Sequence, residues 1–340
     1  MGPSESFSHV TPGASRGASH SEPRRLSRIH SLRVSVTDRC NFRCLYCMPS
    51  KGVAWLPHEE LLSLEELYEN VEWIAHRTDL QRVRLTGGEP LVRRGIHHLI
   101  ARLTALPDMP EVSLTTNGAM LAHQVWALKA AGVSRVNISL DTMNPQRFTT
   151  LTRGGHLWHT LSGINEAIRA GLTPVKLNAV LQRTSWQEDV PRLLDYAAMQ
   201  NVEIRFIELM RTGTERSWCA SELVTVDVVQ AWLARRAGIY PMPVRASSPS
   251  ANTIVRWYGH DLSVGWITPR SQPFCKDCDR LRIDACGRVR RCLMDPATFN
   301  LPGIRSLGEK QAELAFFDYL AEKHAPRGME IDKGMCQIGG

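Results

Sequence analysis

The sequence predicts an α/β fold: a partial, open barrel of the TIM type with about six βα units and a C-terminal extension. The first observation is a series of short β-type runs separated by helical patterns; the runs are Leu32–Thr37, Arg82–Thr86, Val112–Thr116, Arg135–Leu140, Pro174–Val180 and Glu203–Leu209. Such alternation indicates βαβ units and a parallel sheet. The second observation is their number, because six units are too few to close a standard eight-stranded barrel. The active site of this fold is expected at the carboxyl ends of the strands.

The helical patterns between the strands support this assignment, and they end before the last third of the chain. They include Ser63–His76, Leu121–Ala131 and Val190–Met199. After about residue 222, Asn252–Trp257 and Leu262–Thr268 instead predict an antiparallel hairpin. We therefore expect a barrel over residues 29–221 and a C-terminal region over residues 222–340 that carries a second cysteine cluster.

Residues 1–28 are rich in Ser, Pro, Gly and His and lack an apolar period, which predicts a disordered extension. An organelle transit peptide is the alternative, and Glu5 and Glu22 argue against it. The sequence contains no apolar run of membrane-spanning length and no secretory signal, so we expect a cytoplasmic protein without a membrane partner.

Charge and cysteine content narrow the class of function. The formal net charge is +7, and it is too dispersed to predict a nucleic-acid partner, although converging arginines would suit a small anionic substrate. Nine cysteines in a chain without a secretory signal indicate metal or catalytic use rather than a disulfide framework.

The first cysteine cluster lies directly after the first predicted strand. Cys40, Cys44 and Cys47 have the spacing CxxxCxxC. Three thiolates can bind three irons of a cubane cluster and leave the fourth iron open to a small molecule. The alternative is a zinc knuckle, but that needs a fourth ligand, and the nearest candidate outside the loop is His58.

This spacing, with the aromatic Tyr46 just before the last cysteine, resembles the signature of the radical S-adenosylmethionine superfamily. The resemblance implies a [4Fe-4S] cluster whose open iron is chelated by S-adenosylmethionine, which is cleaved to methionine and a 5′-deoxyadenosyl radical. It also implies a set of S-adenosylmethionine contacts. These are Tyr46, Gly88 in the Gly87-Gly88-Glu89-Pro90 motif, Ser139 and Met210.

The second cysteine cluster consists of Cys275, Cys278 and Cys292, with Cys286 between them. Four cysteines at this spacing would also make a closed zinc site, and without context the two readings are equally good. Two facts favour iron and sulfur: Arg280 and Arg282 share one face of an extended segment, and the first motif already implies iron–sulfur loading.

The combination of both motifs, the Arg-x-Arg segment and a terminal Gly-Gly resembles the GTP 3′,8-cyclase family of molybdenum cofactor biosynthesis over residues 30–340. The resemblance implies a second [4Fe-4S] cluster held by Cys275, Cys278 and Cys292, whose open iron binds the guanine of GTP, and a non-ligand Cys286. It implies that Gly339 and Gly340 reach the active site and are needed for catalysis. The substrate-binding residues that it implies are Arg33, Arg84, Thr115, Lys176, Arg280, Leu281 and Arg282.

The positive charges among these residues support GTP as the substrate. GTP carries about four negative charges, and guanidinium groups pair bidentately with phosphate. Arg33, Arg84 and Lys176 lie within predicted parallel strands, which are usually apolar. The family resemblance also implies cyclic pyranopterin monophosphate synthase as the downstream enzyme. We further expect a reducing electron donor and a homodimer, although the sequence carries no signal for the oligomeric state. Two alternatives remain at this point: a peptide-modifying radical enzyme with an auxiliary cluster, and a non-catalytic zinc scaffold.

Overall fold

The computed structural model describes residues 28–107, 111–210, 216–243 and 248–323. The predicted extension, except for its last residue, and the pair Gly339 and Gly340 lie outside these ranges. None of the helices in the described ranges is both long and apolar enough to cross a membrane.

A single twelve-stranded sheet forms the centre of the molecule. Its strands are β1 Ser31–Ser35, β2 Arg82–Thr86, β3 Glu111–Thr116, β4 Arg135–Ser139, β5 Lys176–Leu181, β6 Glu203–Glu208, β7 Gly238–Pro241, β8 Ala251–Trp257, β9 His260–Ile267, β10 Arg280–Ile283, β11 Arg288–Arg290 and β12 Phe299–Asn300. The first six match the predicted runs to within two residues at either end, and β8 and β9 form the predicted hairpin.

The sheet order is β12-β11-β10-β1-β2-β3-β4-β5-β6-β9-β8-β7. Strands β1 to β6 are parallel neighbours, and the C-terminal region adds one more parallel strand at each edge: β10 beside β1, and β9 beside β6. Within the described ranges these two edges continue into antiparallel strands and do not pair with each other, so the barrel is open. The predicted fold class is confirmed. The domain boundary between residues 221 and 222 stays a prediction.

The helices cover the outside of the sheet. They are α1 Leu64–Ala75, α2 Ile96–Thr104, α3 Leu121–Ala130, α4 Pro145–Thr152, α5 Leu157–Arg169, α6 Trp186–Gln200, α7 Arg216–Ser221, α8 Val226–Ala234, α9 Leu301–Arg305 and α10 Glu309–Ala321. Local sequence sets several of their ends. Helix α1 begins with a capping box in which Ser63 and Glu66 satisfy each other's backbone N–H groups.

The two faces of the central strands differ in polarity, because successive side chains of a strand point to opposite sides. Leu32, Val34, Val83 and Leu85 are fully buried in the apolar layer beneath the helices. The alternate positions of the same strands are mostly polar or charged and line the barrel interior. This alternation explains how charged residues occur inside parallel strands.

Helix α10 joins the C-terminal region to the barrel. Phe316 is fully buried, and its ring packs edge-on against Trp73 of α1 at 5.2 Å between centroids. The indole of Trp73 also donates to Glu309 at the start of α10. The end of α10 is thereby held close to the second cysteine cluster.

Candidate active site

The first cysteine loop leaves the carboxyl end of β1 and is fixed by backbone bonds to the end of α4. The N–H groups of Arg43 and Leu45 donate to the carbonyls of Thr152 and Leu151, at 3.1 and 2.9 Å. The N–H of Cys47 turns back to the carbonyl of Cys44 at 2.9 Å. The loop therefore has a defined shape set by the barrel.

Gly88 brings the end of β2 against this loop. Its N–H donates to the carbonyl of Thr37 at 2.8 Å, and a Cβ at this position would lie 2.2 Å from the carbonyl oxygen of Arg39. Only glycine permits so close an approach. The next residue, Glu89, is buried and accepts bonds from the N–H of Leu91, the N–H of Asn117 and the hydroxyl of Thr116.

Tyr46 is held by a residue that follows β4. Its hydroxyl donates to Oδ2 of Asp141 at 2.7 Å, and Oδ1 of Asp141 accepts from the N–H of Val180 at 2.8 Å. Burial raises the pKa of Asp141 to about 6. Ser139 is partly exposed at the carboxyl end of β4, and Met210 is partly exposed shortly after β6. All four predicted S-adenosylmethionine contacts thus lie at or just beyond the carboxyl ends of strands.

The three thiols of the first triplet interact with one another. Burial raises the pKa of Cys40 to about 12, and it also raises the pKa of Cys44, to which the charges of Cys47 and Cys40 contribute. Free thiols so placed stay protonated, and a metal must displace their protons to bind. Within the described ranges no three His, Cys, Asp or Glu side chains converge on a single ion. A cubane places a different demand on the triplet, because each cysteine binds a different iron.

The second triplet has an exposed member and cationic surroundings. Cys275 is exposed, whereas Cys278 and Cys292 are partly buried. Burial raises the pKa of Cys275, with further contributions from Cys292 and Cys278, so these thiols also lie near one another. For Cys278, burial is outweighed by the positive charges of Arg280 and Lys323, which lower its pKa. Three neighbouring thiols beside cations fit an anionic iron–sulfur cluster.

Cys286 lies in the turn between β10 and β11. Its N–H donates to Oδ1 of Asp284 at 3.0 Å, and its thiol bonds to the side chain of Arg288. The charged groups that act on this thiol are Asp284, Arg288 and Glu60, none of which is a cysteine. This placement supports the predicted non-ligand role of Cys286.

Three arginines lie side by side across neighbouring strands. Arg33 of β1 is in register with Arg84 of β2 on one side and Arg282 of β10 on the other. Arg280 is two residues earlier on β10 and therefore on the same face. We call Arg33, Arg84, Arg280 and Arg282 the arginine row. Because β10 also leads out of the second triplet, the row begins next to Cys278.

The arginine row is positively charged; Arg282 is buried, and the other three arginines are half-buried. Burial lowers the pKa of Arg84 to about 9 and that of Arg282 to about 10, and neighbouring guanidinium groups add to both effects. The pKa of Arg33 is lowered well below its usual value by burial and by the charges of Arg282, Arg84 and Arg280. The Nε atoms of Arg33 and Arg280 are buried without a hydrogen-bond partner. A polyanion would supply both the missing acceptors and the missing negative charge.

The other predicted substrate residues are less uniform. Thr115 is partly exposed on β3. Lys176 is buried on β5, where its ammonium lies 2.7 Å from Oε2 of Glu203. Leu281 is in register with Leu32, and its fully buried side chain faces the apolar layer. If Leu281 contacts the substrate as predicted, it therefore does so through its main chain.

Comparison with known proteins agrees with this geometry. The Radical SAM superfamily model matches residues 34–197, and the Molybdenum Cofactor Synthesis C model matches residues 202–325. A GTP 3′,8-cyclase of Pelotomaculum thermopropionicum is 41% identical over 322 residues, which covers 92% of this chain and 98% of the relative. The chain belongs to the GTP 3′,8-cyclase family.

Further members of the GTP 3′,8-cyclase family match this chain over a similar length. The protein of Moorella thermoacetica is 41% identical over 92% of this chain and 98% of its own length, and that of Streptomyces coelicolor is 39% identical over 91% and 93%. The predicted family and the predicted radical S-adenosylmethionine enzyme class are confirmed. Membership also gives the chain S-adenosylmethionine and [4Fe-4S] clusters as cofactors.

Among solved structures, Streptococcus suis SuiB bound to the precursor peptide SuiA is similar, with a TM-score of 0.61 at 14% identity over 89% of this chain and 68% of SuiB. SuiB bound to S-adenosylmethionine gives a TM-score of 0.57 at 13% identity, over 88% of this chain and 68% of SuiB. At this identity the likeness concerns the fold, and it supports the open barrel.

Several residues of this family member were not predicted from the sequence. Arg205 of β6 adds to the positive charge at Arg84 and forms an ion pair with Glu203 at 2.6 Å. The sequence does contain a signal for Arg205, because Glu203 and Arg205 alternate along the strand with Ile204 and Phe206, which are buried. Asp141 had no such signal, because its role depends on a partner far away in the sequence.

Proposed function

We propose that this chain converts GTP to (8S)-3′,8-cyclo-7,8-dihydroguanosine 5′-triphosphate, the first step of molybdenum cofactor biosynthesis. The observation that carries the proposal is the arginine row, which connects the barrel interior to the second cysteine triplet in a chain of the GTP 3′,8-cyclase family. Bound clusters and S-adenosylmethionine would supply the radical chemistry, and the residues of the chain bind, orient and shield the reactants.

In this proposal, Cys40, Cys44 and Cys47 hold the first [4Fe-4S] cluster. Gly88 lets the end of β2 pack directly against the loop, and Tyr46, held by Asp141, forms one wall of the site. Ser139 and Met210 complete the S-adenosylmethionine site at the carboxyl ends of β4 and β6. The placement is supported by the backbone bonds that tie this loop to the ends of neighbouring strands and helices.

Cys275, Cys278 and Cys292 hold the second cluster in the same proposal, and the guanine of GTP binds at its open iron. The triphosphate then extends along the arginine row, with Thr115 and Lys176 as further contacts. Two buried Nε atoms without acceptors and the depressed pKa of Arg33 support a polyanionic ligand here. Electrostatic attraction of this kind positions a substrate as well as binding it.

The remaining assignments rest on family resemblance. Gly339 and Gly340, outside the described residues, would complete the active site. The product would pass to cyclic pyranopterin monophosphate synthase, and the reaction needs a strong reductant. A homodimer and a cytoplasmic location complete the proposal.

The direct test is anaerobic incubation of the reconstituted protein with S-adenosylmethionine, dithionite and GTP, followed by mass spectrometry. We expect a product isomeric with GTP, together with 5′-deoxyadenosine. ATP is the matched control, because it carries the same triphosphate without guanine, and we expect it to remain unchanged. Cleavage of S-adenosylmethionine with no GTP-derived product, or equal conversion of ATP, would refute the proposal.

A further inference from the structure

Lys323 is a buried lysine two residues after the last residue of α10. Its exposed fraction is 6%, and its N–H donates to the carbonyl of Leu320 at 2.9 Å, which fixes the backbone. An ammonium group in such a place is costly unless it is hydrogen-bonded. Lys323 belongs neither to the arginine row nor to either triplet, so the proposed reaction does not yet account for it.

The ammonium of Lys323 contacts three atoms in the described part of the hairpin that carries the second triplet. Its Nζ lies 2.6 Å from the carbonyl oxygen of Arg280, 2.8 Å from the carbonyl oxygen of Arg291 and 3.8 Å from Sγ of Cys278. An ammonium offers three N–H donors, so it can donate to more than one of these acceptors at once. The first two are ordinary bonds to main chain, and the third has the length of a bond to sulfur.

These contacts link the two arms of the second triplet. Arg280 follows Cys278 by two residues, and Arg291 directly precedes Cys292. Arg280 begins β10, and Arg291 directly follows β11, which pairs antiparallel with β10. One side chain from just after α10 binds the main chain of both segments. The same ammonium holds the main chain at Arg280, whose side chain belongs to the arginine row.

We propose that Lys323 is a positioning residue for the second cluster, which fixes the arms of Cys278 and Cys292 and donates an N–H to the sulfur of Cys278. The inference rests on the proposed ligand assignment of Cys275, Cys278 and Cys292. Hydrogen bonds to cysteine sulfur and nearby positive charge stabilise the reduced, more negative form of an iron–sulfur cluster. Lys323 therefore raises the reduction potential of the second cluster.

The test uses the reconstituted full-length protein and three variants. Lys323→Met removes the charge and the donors but keeps the length of the side chain, whereas Lys323→Arg keeps charge and N–H groups. Lys310→Met is the matched control, because Lys310 is exposed on α10. Iron content and electron paramagnetic resonance during a redox titration follow each cluster separately, and dithionite-driven cleavage of S-adenosylmethionine without GTP reports on the first cluster.

In Lys323→Met we expect the midpoint potential of the second cluster to shift to lower values, while cleavage of S-adenosylmethionine stays within about twofold of wild type. Lys323→Arg should restore part of the shift, and Lys310→Met should show none. Loss of the second cluster alone in Lys323→Met, with recovery in Lys323→Arg, also supports the proposal.

An unchanged potential and signal of the second cluster in folded Lys323→Met would overturn the inference. Failure of both Lys323 variants to fold would also overturn it, because Lys323 would then serve the fold rather than the cluster. The ligand assignment is tested separately by Cys278→Ala. If that variant kept both clusters, the proposed ligand set would fail, whatever the result at Lys323.

Discussion

The two cysteine triplets have the same ligand chemistry but opposite electrostatic surroundings. The first is half-buried where the cysteine loop meets the strand ends, and the carboxyl groups of Glu89 and Asp141 lie beside it. The second includes the exposed Cys275, and its charged neighbours are the guanidinium of Arg280 and the ammonium of Lys323.

This difference matches the charges of the two proposed ligands. S-adenosylmethionine carries a positive sulfonium, which carboxyl groups attract, whereas GTP is a polyanion, which the arginine row attracts. Complementary charge chooses between ligands that would otherwise compete for similar open irons. In the proposed function, the surroundings of each triplet, rather than its cysteines, therefore decide which ligand each site binds.

The largest effects are expected from removal of single cysteines. Cys44→Ala should lose the first cluster and all cleavage of S-adenosylmethionine, while the second cluster stays. Cys278→Ala should lose the second cluster and GTP binding but still cleave S-adenosylmethionine, because the first triplet is built on a different loop. Iron analysis and 5′-deoxyadenosine formation measure both. Simultaneous loss of both clusters in each variant would contradict the division of labour.

Replacement of the central arginine should weaken GTP binding strongly. Arg33→Met removes a guanidinium that lies between two others, and the loss of one or two charge-assisted bonds should raise the dissociation constant for GTP about 100-fold. The ligand-free variant should also melt at a higher temperature than wild type, because repulsion within the row is reduced. Equilibrium dialysis and calorimetry measure the two effects.

Arg94→Met is the control for this variant, since Arg94 is an exposed arginine outside the row. It should bind GTP as wild type does and show the same melting temperature. Wild-type affinity for GTP in Arg33→Met would show that the row is not the triphosphate site.

The pH dependence of stability tests the carboxyl groups beside the first triplet. The pKa of Asp141 is raised from 3.8 to about 6 in the folded protein, so the folded state binds the proton more tightly than the unfolded state. The stability that this proton contributes is complete below about pH 4 and is lost as the pH rises through 6. Asp141→Asn lacks this loss, so its stability relative to wild type should rise by about 1.3 kcal/mol between pH 5 and pH 7.

Denaturant unfolding at several pH values checks this expectation. Asp195→Asn is the control, because it makes the same carboxyl-to-amide change at an exposed position of α6. A constant difference between Asp141→Asn and wild type across this range would show that Asp141 is already ionised in the folded protein at pH 5. The surroundings of the first triplet would then carry a full negative charge at Asp141 already at pH 5.

The smallest effect is expected at Cys286. Cys286→Ala should retain both clusters and full activity, because its thiol lies with Asp284 and Arg288 in a turn rather than with the other cysteines. Iron content of about eight per chain is the expected result, from two clusters of four. A fall to about four would make Cys286 a ligand and would weaken the distinction between the two triplets.

The sequence allowed the barrel strands to be predicted because their signal is local. Each strand of the set β1 to β6 is a short β-type run followed by a helical pattern. The pairing of β10 with β1 and of β9 with β6 had no local signal, since those partners are distant in the chain. The C-terminal region was therefore expected as an extension, without its strands at both edges of the sheet.

The candidate site shows the same limit. The alternation at Arg280 and Arg282 correctly predicted that both share a face, but only the register with β1 aligns Arg282 with Arg33. Asp141 and Lys323 escaped prediction because each acts through a residue that only folding brings near, namely Tyr46 and Cys278. Spacing identifies ligands within one segment, whereas supporting residues from other segments require the fold.

Deuterium transfer from GTP labelled at the ribose 3′ carbon tests the central claim most directly. With the wild-type protein, deuterium should appear in 5′-deoxyadenosine, because the proposed 3′,8 bond forms only after the deoxyadenosyl radical has removed the hydrogen on the 3′ carbon. With Cys278→Ala we expect 5′-deoxyadenosine without the label, because GTP is no longer positioned beside the first site. Equal deuterium transfer by both proteins would contradict the claim that the second triplet and the arginine row place the substrate.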